Sequence, residues 1–173
     1  MIYALVGAEK SIRNVMGNNN MTETNKDLRP KVGVGVYLVN DNNELLLSFR
    51  SSAHAAGFWC APGGHMEYGE TFLEAGARET KEEVGIDVSG VDIVGVISNV
   101  YPEENKHYVT IHMKAKKYSG EAKLMEPDKF SDMKWFPLAS LPENIFPATK
   151  SFLSENPLCL CGSGKKFREC HGK

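Results

Sequence analysis

Residues 71–84 constrain this chain more than any other stretch. Gly69-Glu70-Thr71 opens a segment with helical spacing, and Thr71-x-x-Glu74 is a capping box that marks its start. At about 100° per residue, Leu73, Gly76, Ala77, Thr80 and Val84 fall on one side, which is expected to pack. Glu79, Glu82 and Glu83 fall on the other. Like charges at these spacings repel by roughly 0.2–0.5 kcal/mol per pair. A solvated surface helix tolerates that repulsion; a hard divalent cation with oxygen ligands relieves it. Two neighbours favour the cation. Arg78 can hold a glutamate by a two-pronged contact. Upstream, Ala61-Pro62-Gly63-Gly64-His65 reads as a glycine turn whose bare backbone can approach a metal or a phosphate.

The segments around this helix read as strands. From Lys31, Val-Gly-Val-Gly-Val-Tyr-Leu-Val alternates apolar residues with glycine and then becomes continuously apolar, as a buried strand does. Asn40-Asp41-Asn42-Asn43 is a turn, followed by a strand over 44–50. Residues 91–99, 108–116 and 133–136 read as further strands, and 138–141 and 147–154 as short helical pieces. No internal repeat is visible. The order β-β-α-β-β-β-α predicts a mixed sheet covered by helices, an α/β layered domain. Residues 1–28 read as a flexible lead-in, because 17–27 are polar and hold nothing able to fill a core; Met21 is an alternative start.

The net charge of −2 conceals an uneven distribution. Residues 1–30 carry +1 and residues 158–173 carry +3, which leaves −6 on the middle of the chain. So acidic a middle argues against broad nucleic-acid binding, which needs phosphate-neutralising Lys and Arg, and suits a carboxylate metal site. No apolar run reaches the roughly 20 residues that cross a bilayer, so no membrane association is expected. The first eight residues lack a basic leader and meet Glu9 and Lys10 at once, and three of the four cysteines cluster at one end instead of spreading as a disulfide scaffold, while Cys60 stands alone and reads as a small buried hydrophobe. The expectation is a cytoplasmic protein.

Gly64-x5-Glu70-x7-Arg78-Glu79-Thr80-x-Glu82-Glu83-x-Gly85-Ile86 resembles the Nudix box, G-x5-E-x7-R-E-U-x-E-E-x-G-U with U a bulky apolar residue. Every fixed position is met; the soft departure is Thr80 in an apolar slot. The resemblance implies an α/β/α sandwich and Mg²⁺- or Mn²⁺-dependent hydrolysis of a nucleoside diphosphate linked to another group. It places Glu79 and Glu83 at metal-ligand positions, with the Gly63 carbonyl as a further ligand. Glu82 becomes a ligand or the group that orients or deprotonates water. Arg78 would orient a glutamate and Glu70 would brace the loop–helix junction. Which glutamate acts as the base varies across the family. Glu126, in Glu126-Pro127-Asp128, is either an added ligand or a turn residue.

The resemblance extends over roughly residues 30–152, towards the nucleotide triphosphate diphosphatase branch near MutT. It rests on Arg29-Pro30-x-Val32-Gly33-Val34-Gly35-Val36, His107-Tyr108-Val109-Thr110-Ile111, Glu126-Pro127 and Trp135-x-Pro137. In that branch the arginine matching Arg50 lies near the phosphates and the threonine matching Thr110 in the substrate pocket; the plain alternatives are an exposed strand-end arginine and a solvent-facing threonine. Ala61 departs from the branch's leucine. Pro147-Ala148-Thr149-Lys150 departs from its base-lining tryptophan and leucine. A missing apolar side chain shifts discrimination by about 1–3 kcal/mol, enough to change the preferred base and leave the chemistry in place. Hydrolysis of a nucleoside triphosphate to monophosphate and pyrophosphate is the first expectation. ADP-ribose or a nucleotide sugar is the alternative, with Pro102 close to a proline that ADP-ribose-cleaving relatives carry. A non-catalytic nucleotide-binding adaptor is the second alternative.

The tail, Cys159-x-Cys161-Gly-Ser-Gly-Lys-Lys-Phe-Arg-Glu-Cys170-His171, sets three thiols and an imidazole where they can close a tetrahedral Cys₃His zinc site. All four positions would be filled, so the zinc would be structural. The tail resembles the SEC-C motif. Lys165, Lys166 and Arg168 would give it a basic surface for docking a protein or the ribosome, and a homodimer is a further expectation of assembly. The expected organisation is a lead-in over 1–28, a Nudix domain over 29–155 and a zinc-binding motif over 156–173.

Overall fold

The computed structural model describes residues 29–52 and 56–172. The lead-in expected over residues 1–28 lies outside the described residues.

Strand β1 (Lys31–Tyr37) is the centre of the fold. Its alternation splits two faces: Val34 and Val36 enter one core, while Gly33, Gly35 and Tyr37 face the other way. Asn40 closes the turn that follows, its Oδ1 accepting from the amides of Asn42 and Glu44 at 3.0 and 2.9 Å. Strand β2 (Glu44–Arg50) then pairs with β3 (Trp59–Cys60) and with β7 (Phe130–Pro137), both antiparallel. The glycine segment expected as a turn is instead a short strand, β4 (Gly63–His65), antiparallel to β1. Strands β5 (Asp87–Tyr101) and β6 (Lys106–Ser119) form a long hairpin joined through a 3₁₀ turn at Pro102–Glu104. Parallel pairing of β1 with β6 completes a mixed sheet of order β4-β1-β6-β5 beside the antiparallel sheet β3-β2-β7.

Helix α1 (Phe72–Val84) covers one face. Thr71 and Glu74 make the reciprocal capping box, and Gly85, at φ 73°, ends the helix in the left-handed region where glycine is favoured. Its buried side is Ala75, Gly76, Thr80, Glu83 and Val84, so the packing face is rotated from the one expected and Leu73 is exposed. Thr80 fills its apolar slot with its hydroxyl satisfied, donating to the Gly76 carbonyl at 2.7 Å. Under this helix lie Val34, Val36, Leu38, Leu46, Ile111 and Met113.

The opposite face is covered by helix α2 (Pro147–Ser154) and by the tail, with its short helix α3 (Phe167–Cys170). Leu160 and Phe167 are buried in the same cluster as Tyr37, Leu45, Leu47 and Phe152. The result is a helix–sheet–helix sandwich, the α/β fold expected. Residues 138–141 are not helical: they form a turn in which Ser140 donates to the Pro137 carbonyl, because Leu138 is drawn into the core.

Candidate active site

Helix α1 ends against β4, and that junction positions the glutamates. They do not share one outer face. Glu83 points inward and is 4% exposed, with the Gly63 amide donating to its Oε2 at 3.1 Å. Glu79 is half-buried, and Glu82 is outside with a side chain 52% exposed. Burial pushes the Glu83 carboxyl up to about 8; Glu79 and Glu126 add to the rise, against the Gly63 amide and Arg50. Glu79 is also raised, first by burial.

Arg78 ties the junction together. Its Nε and Nη2 donate to the two oxygens of Glu70 at 2.7 and 3.1 Å, the two-pronged contact that the sequence made possible. Its Nη1 donates to Glu79 at 2.9 Å and to Glu82 at 3.2 Å, and its Nη2 also donates to the His65 carbonyl. This guanidinium, joined by the Glu67 amide, holds the Glu70 carboxyl down at about 2. At Gly64 any side chain would overlap the Glu79 carboxylate, and at Gly63 it would overlap the Val34 carbonyl. The glycine pair is therefore required by close approach.

These groups open on a cavity of about 390 Å³. Glu79, Glu83, Gly63, Arg50 and Thr110 all line it, so the structure brings together the expected metal-binding and substrate-binding positions; Glu82 stands outside the lining. Gly33 and Gly35 leave a bare stretch of β1 in the wall, the purpose of the glycine alternation in the first strand. The charged lining residues, Arg50, Glu79, Glu83, Glu104 and Lys129, come from outside the four-stranded sheet, while the sheet supplies the neutral Asn99, Tyr101 and Thr110 and α2 supplies Thr149. Pro102 is not in the lining, although its neighbours Tyr101 and Glu104 are.

Sequence reasoning missed several of these residues. Lys129 lines the cavity and pairs with Glu126 at 2.7 Å, a contact foreshadowed only by their spacing of three. Tyr108 stacks on His65 and meets Tyr101 edge-on, giving the cavity an aromatic border. His112 is 1% exposed, with Nδ1 2.7 Å from the Tyr37 hydroxyl, and nothing in its spacing marked it. Cys60 is buried, which pushes its thiol up to about 12 and keeps it an unreactive hydrophobe.

Two places fit metal ions. At the first, the half-buried Glu79 and the buried Glu83 adjoin Glu126, whose Oε2 is buried without a hydrogen-bond partner. That all-oxygen set suits a hard divalent cation. At the second, the ligand atoms of Cys159, Cys161, Cys170 and His171 lie within 4.8 Å of one another. The His171 Nδ1 is 3.2 Å from the sulfurs of Cys159 and Cys170, and Cys161 and Cys170 are 3.7 Å apart. A tetrahedron with metal–sulfur legs of about 2.3 Å has edges of about 3.8 Å, so this set fits zinc.

Comparison with known proteins agrees with the geometry. Residues 29–155 match the NUDIX domain family model and residues 156–173 match the SEC-C motif. The chain is 32% identical over 116 residues to the NAD-capped RNA hydrolase NudC of Pseudomonas putida, covering 67% of this chain and 39% of that relative. It is 42% identical over 77 residues to the m7GpppN-mRNA hydrolase NUDT17 of Danio rerio, covering 41% of this chain and 26% of the relative. It thus spans about two fifths or less of these curated relatives' length. Among solved structures, a MutT NUDIX hydrolase from Burkholderia pseudomallei is similar at 33% identity and a TM-score of 0.69, over 73% of this chain and 97% of that one. The MutT protein of Methanosarcina mazei Go1 is similar at 26% identity and a TM-score of 0.64, over 73% and 93% of the two chains. The helix that carries Arg78, Glu79, Glu82 and Glu83 thus lies within a chain that belongs to the Nudix family and also matches the SEC-C motif.

Proposed function

We propose that this chain is a Mg²⁺-dependent pyrophosphohydrolase that cleaves a nucleoside triphosphate to the monophosphate and pyrophosphate. One observation carries the reading: the acidic groups Glu79 and Glu83, the cations Arg50 and Lys129 and the neutral polar groups Asn99, Thr110 and Thr149 line a single cavity, the set that a metal-bound nucleotide calls for. Glu79, Glu83 and the Gly63 carbonyl would hold the magnesium ion, with Glu126 beside them. Bound there, the ion neutralises phosphate charge and lowers the pKa of the attacking water. Arg50 and Lys129 bind the phosphate oxygens. Arg78 fixes Glu79 and braces the junction through Glu70. A carboxylate on the cavity wall takes the water's proton, while Glu82, on the outside of α1, acts through Arg78. Thr110, Asn99 and Thr149 face the nucleoside.

A second reading keeps the chemistry and changes the leaving group. The aromatic border of His65, Tyr101 and Tyr108 offers a stacking surface for a second ring, and the curated relatives named above act on substrates in which a diphosphate or triphosphate bridges two nucleosides. Ranking kcat/KM over nucleoside triphosphates, ADP-ribose, a nucleotide sugar, NAD and a dinucleoside triphosphate tests both. Triphosphates rank first on the first reading; a bridged dinucleotide ranking tenfold or more above them, on the scale of about 1.4 kcal/mol, would replace it with the second. Exposed Lys165 and Lys166 support docking of an acidic protein or of ribosomal RNA on the tail.

A further inference from the structure

Helix α2 belongs to two sites at once. Its first turn, Pro147, Ala148 and Thr149, lines the cavity. Farther along, Phe152 is 1% exposed and stacks on His112 at 4.7 Å and on Tyr37 at 5.4 Å between ring centroids. Gly95 makes room for that ring, since a side chain there would lie 2.7 Å from it. On its remaining side α2 meets the tail. Leu160 and Phe167 enter the same core as Phe152, and Lys150 and Leu153 share a groove with Phe167, His171 and Gly172. Arg168 donates to the Ser154 carbonyl at 2.8 Å, satisfying the end of the helix.

Neither partner is secure alone. Helix α2 has eight residues and no side-chain cap at its N-terminus, well short of the ~12–15 residues at which isolated helices become marginal. The tail contains only a four-residue helix and turns, so its shape depends on whatever closes its ligands. Phe167 stands three residues before Cys170 on α3, and the Cys159 that opens the clasp adjoins Leu160. The two tail residues that share the core with Phe152 of α2 are therefore set by the clasp.

We propose that the Cys159–Cys161–Cys170–His171 clasp is a positioning device for the cavity: closed on zinc, it holds Leu160 and Phe167 against α2 and fixes residues 147–149 as the nucleotide-facing wall. The clasp then controls substrate affinity, not the chemical step. This rests on the functional reading above only for the identity of the ligand; the link from clasp to helix stands without it.

Hydrogen exchange resolved by segment tests the link in the full chain, compared zinc-loaded and after a chelator has removed the metal, with zinc content measured in both. Removal should speed exchange over residues 146–155 by about tenfold while β1 and β6 keep their protection. The dissociation constant for a non-hydrolysable triphosphate analogue should rise by about tenfold, within the usual range of coupling between sites. Phe167→Ala, which spares all four ligands, should keep its zinc and loosen the same segment, with KM raised and kcat within about twofold. Unchanged exchange over residues 146–155 with the zinc gone would overturn the proposal. So would equal loss of protection in β1 and β6, which would make the clasp a support of the whole core. Zinc-loaded protein that binds no nucleotide would contradict the functional reading instead, and the exchange result would still decide the link.

Discussion

The Gly63 amide donates to Glu83 Oε2 across 3.1 Å, tying the glycine strand to the buried end of α1. A carboxyl so placed is 4% exposed, and burial pushes it up to about 8, so a cation beside it would favour its charged form. Glu83→Gln keeps the shape and an acceptor for Gly63 but removes the charge. It should lower kcat by about 10³-fold or more with the folded spectrum intact, measured by steady-state kinetics and circular dichroism. Titration calorimetry should show weakened magnesium binding in the same variant.

Gly64 is the second sensitive point. Gly64→Ala drives a methyl group into the Glu79 carboxylate, so either the carboxylate or β4 must shift. A 1 Å displacement of a catalytic group is enough to remove about 10²-fold of rate. A loss of that size is expected, with little change in melting temperature, because the clash is with the flexible end of one side chain. Gly69→Ala is the comparison: it has open space but a left-handed backbone, so it should strain the loop beside Glu70 without driving any atom into the Glu79 carboxylate.

Arg78 serves three glutamates with one planar group. Lysine keeps the charge but cannot hold both oxygens of Glu70 and reach Glu79 together. Arg78→Lys should therefore reduce kcat/KM by about 10- to 100-fold, and Glu70→Gln should give a similar loss. The double variant should lose little more than either single one, since both break the same brace.

The buried His112 predicts a pH dependence of stability. Its ring packs against both Tyr37 and Phe152, which also stack on each other, and burial holds its pKa down at about 4 against 6.5 for an ordinary histidine. The unfolded chain takes up the proton first, so stability is full above pH 6.5 and falls as pH drops towards 4. The complete effect is about 3 kcal/mol. Glu83 pushes the other way in metal-free protein, so the comparison that isolates the histidine is urea unfolding of the parent against His112→Phe at pH 7 and pH 4.5. The parent should lose stability relative to the variant on acidification.

Local chemistry made part of this molecule legible. Helix α1 was readable to within a residue because its cap, Thr71, and its stop, Gly85, lie in the sequence beside it. That Arg78 could hold a glutamate was readable from its place beside the cluster, while Glu70 as its partner came from the resemblance to the Nudix box. Contacts made at long range were not. Spacing alone put Glu83 on an outer face with Glu79 and Glu82; its burial depends on an amide twenty residues away. Strand β4 has no intrinsic preference for extension and exists because β1 pairs with it. Strands β5 and β6 run longer than 91–99 and 108–116 because they pair with each other beyond their apolar centres. The three cysteines and the histidine of the cluster were visible in the tail, but its packing into the core beside Phe152 was not, since Leu160 and Phe167 find that core only in three dimensions.

The position of bond cleavage tests the central claim most directly. A nucleoside triphosphate is turned over with magnesium and the products are separated by ion exchange. Nucleoside monophosphate and pyrophosphate are expected in equal amounts, dependent on the metal and absent with Glu83→Gln. Release of nucleoside diphosphate and orthophosphate, or full turnover by Glu83→Gln, would contradict that claim.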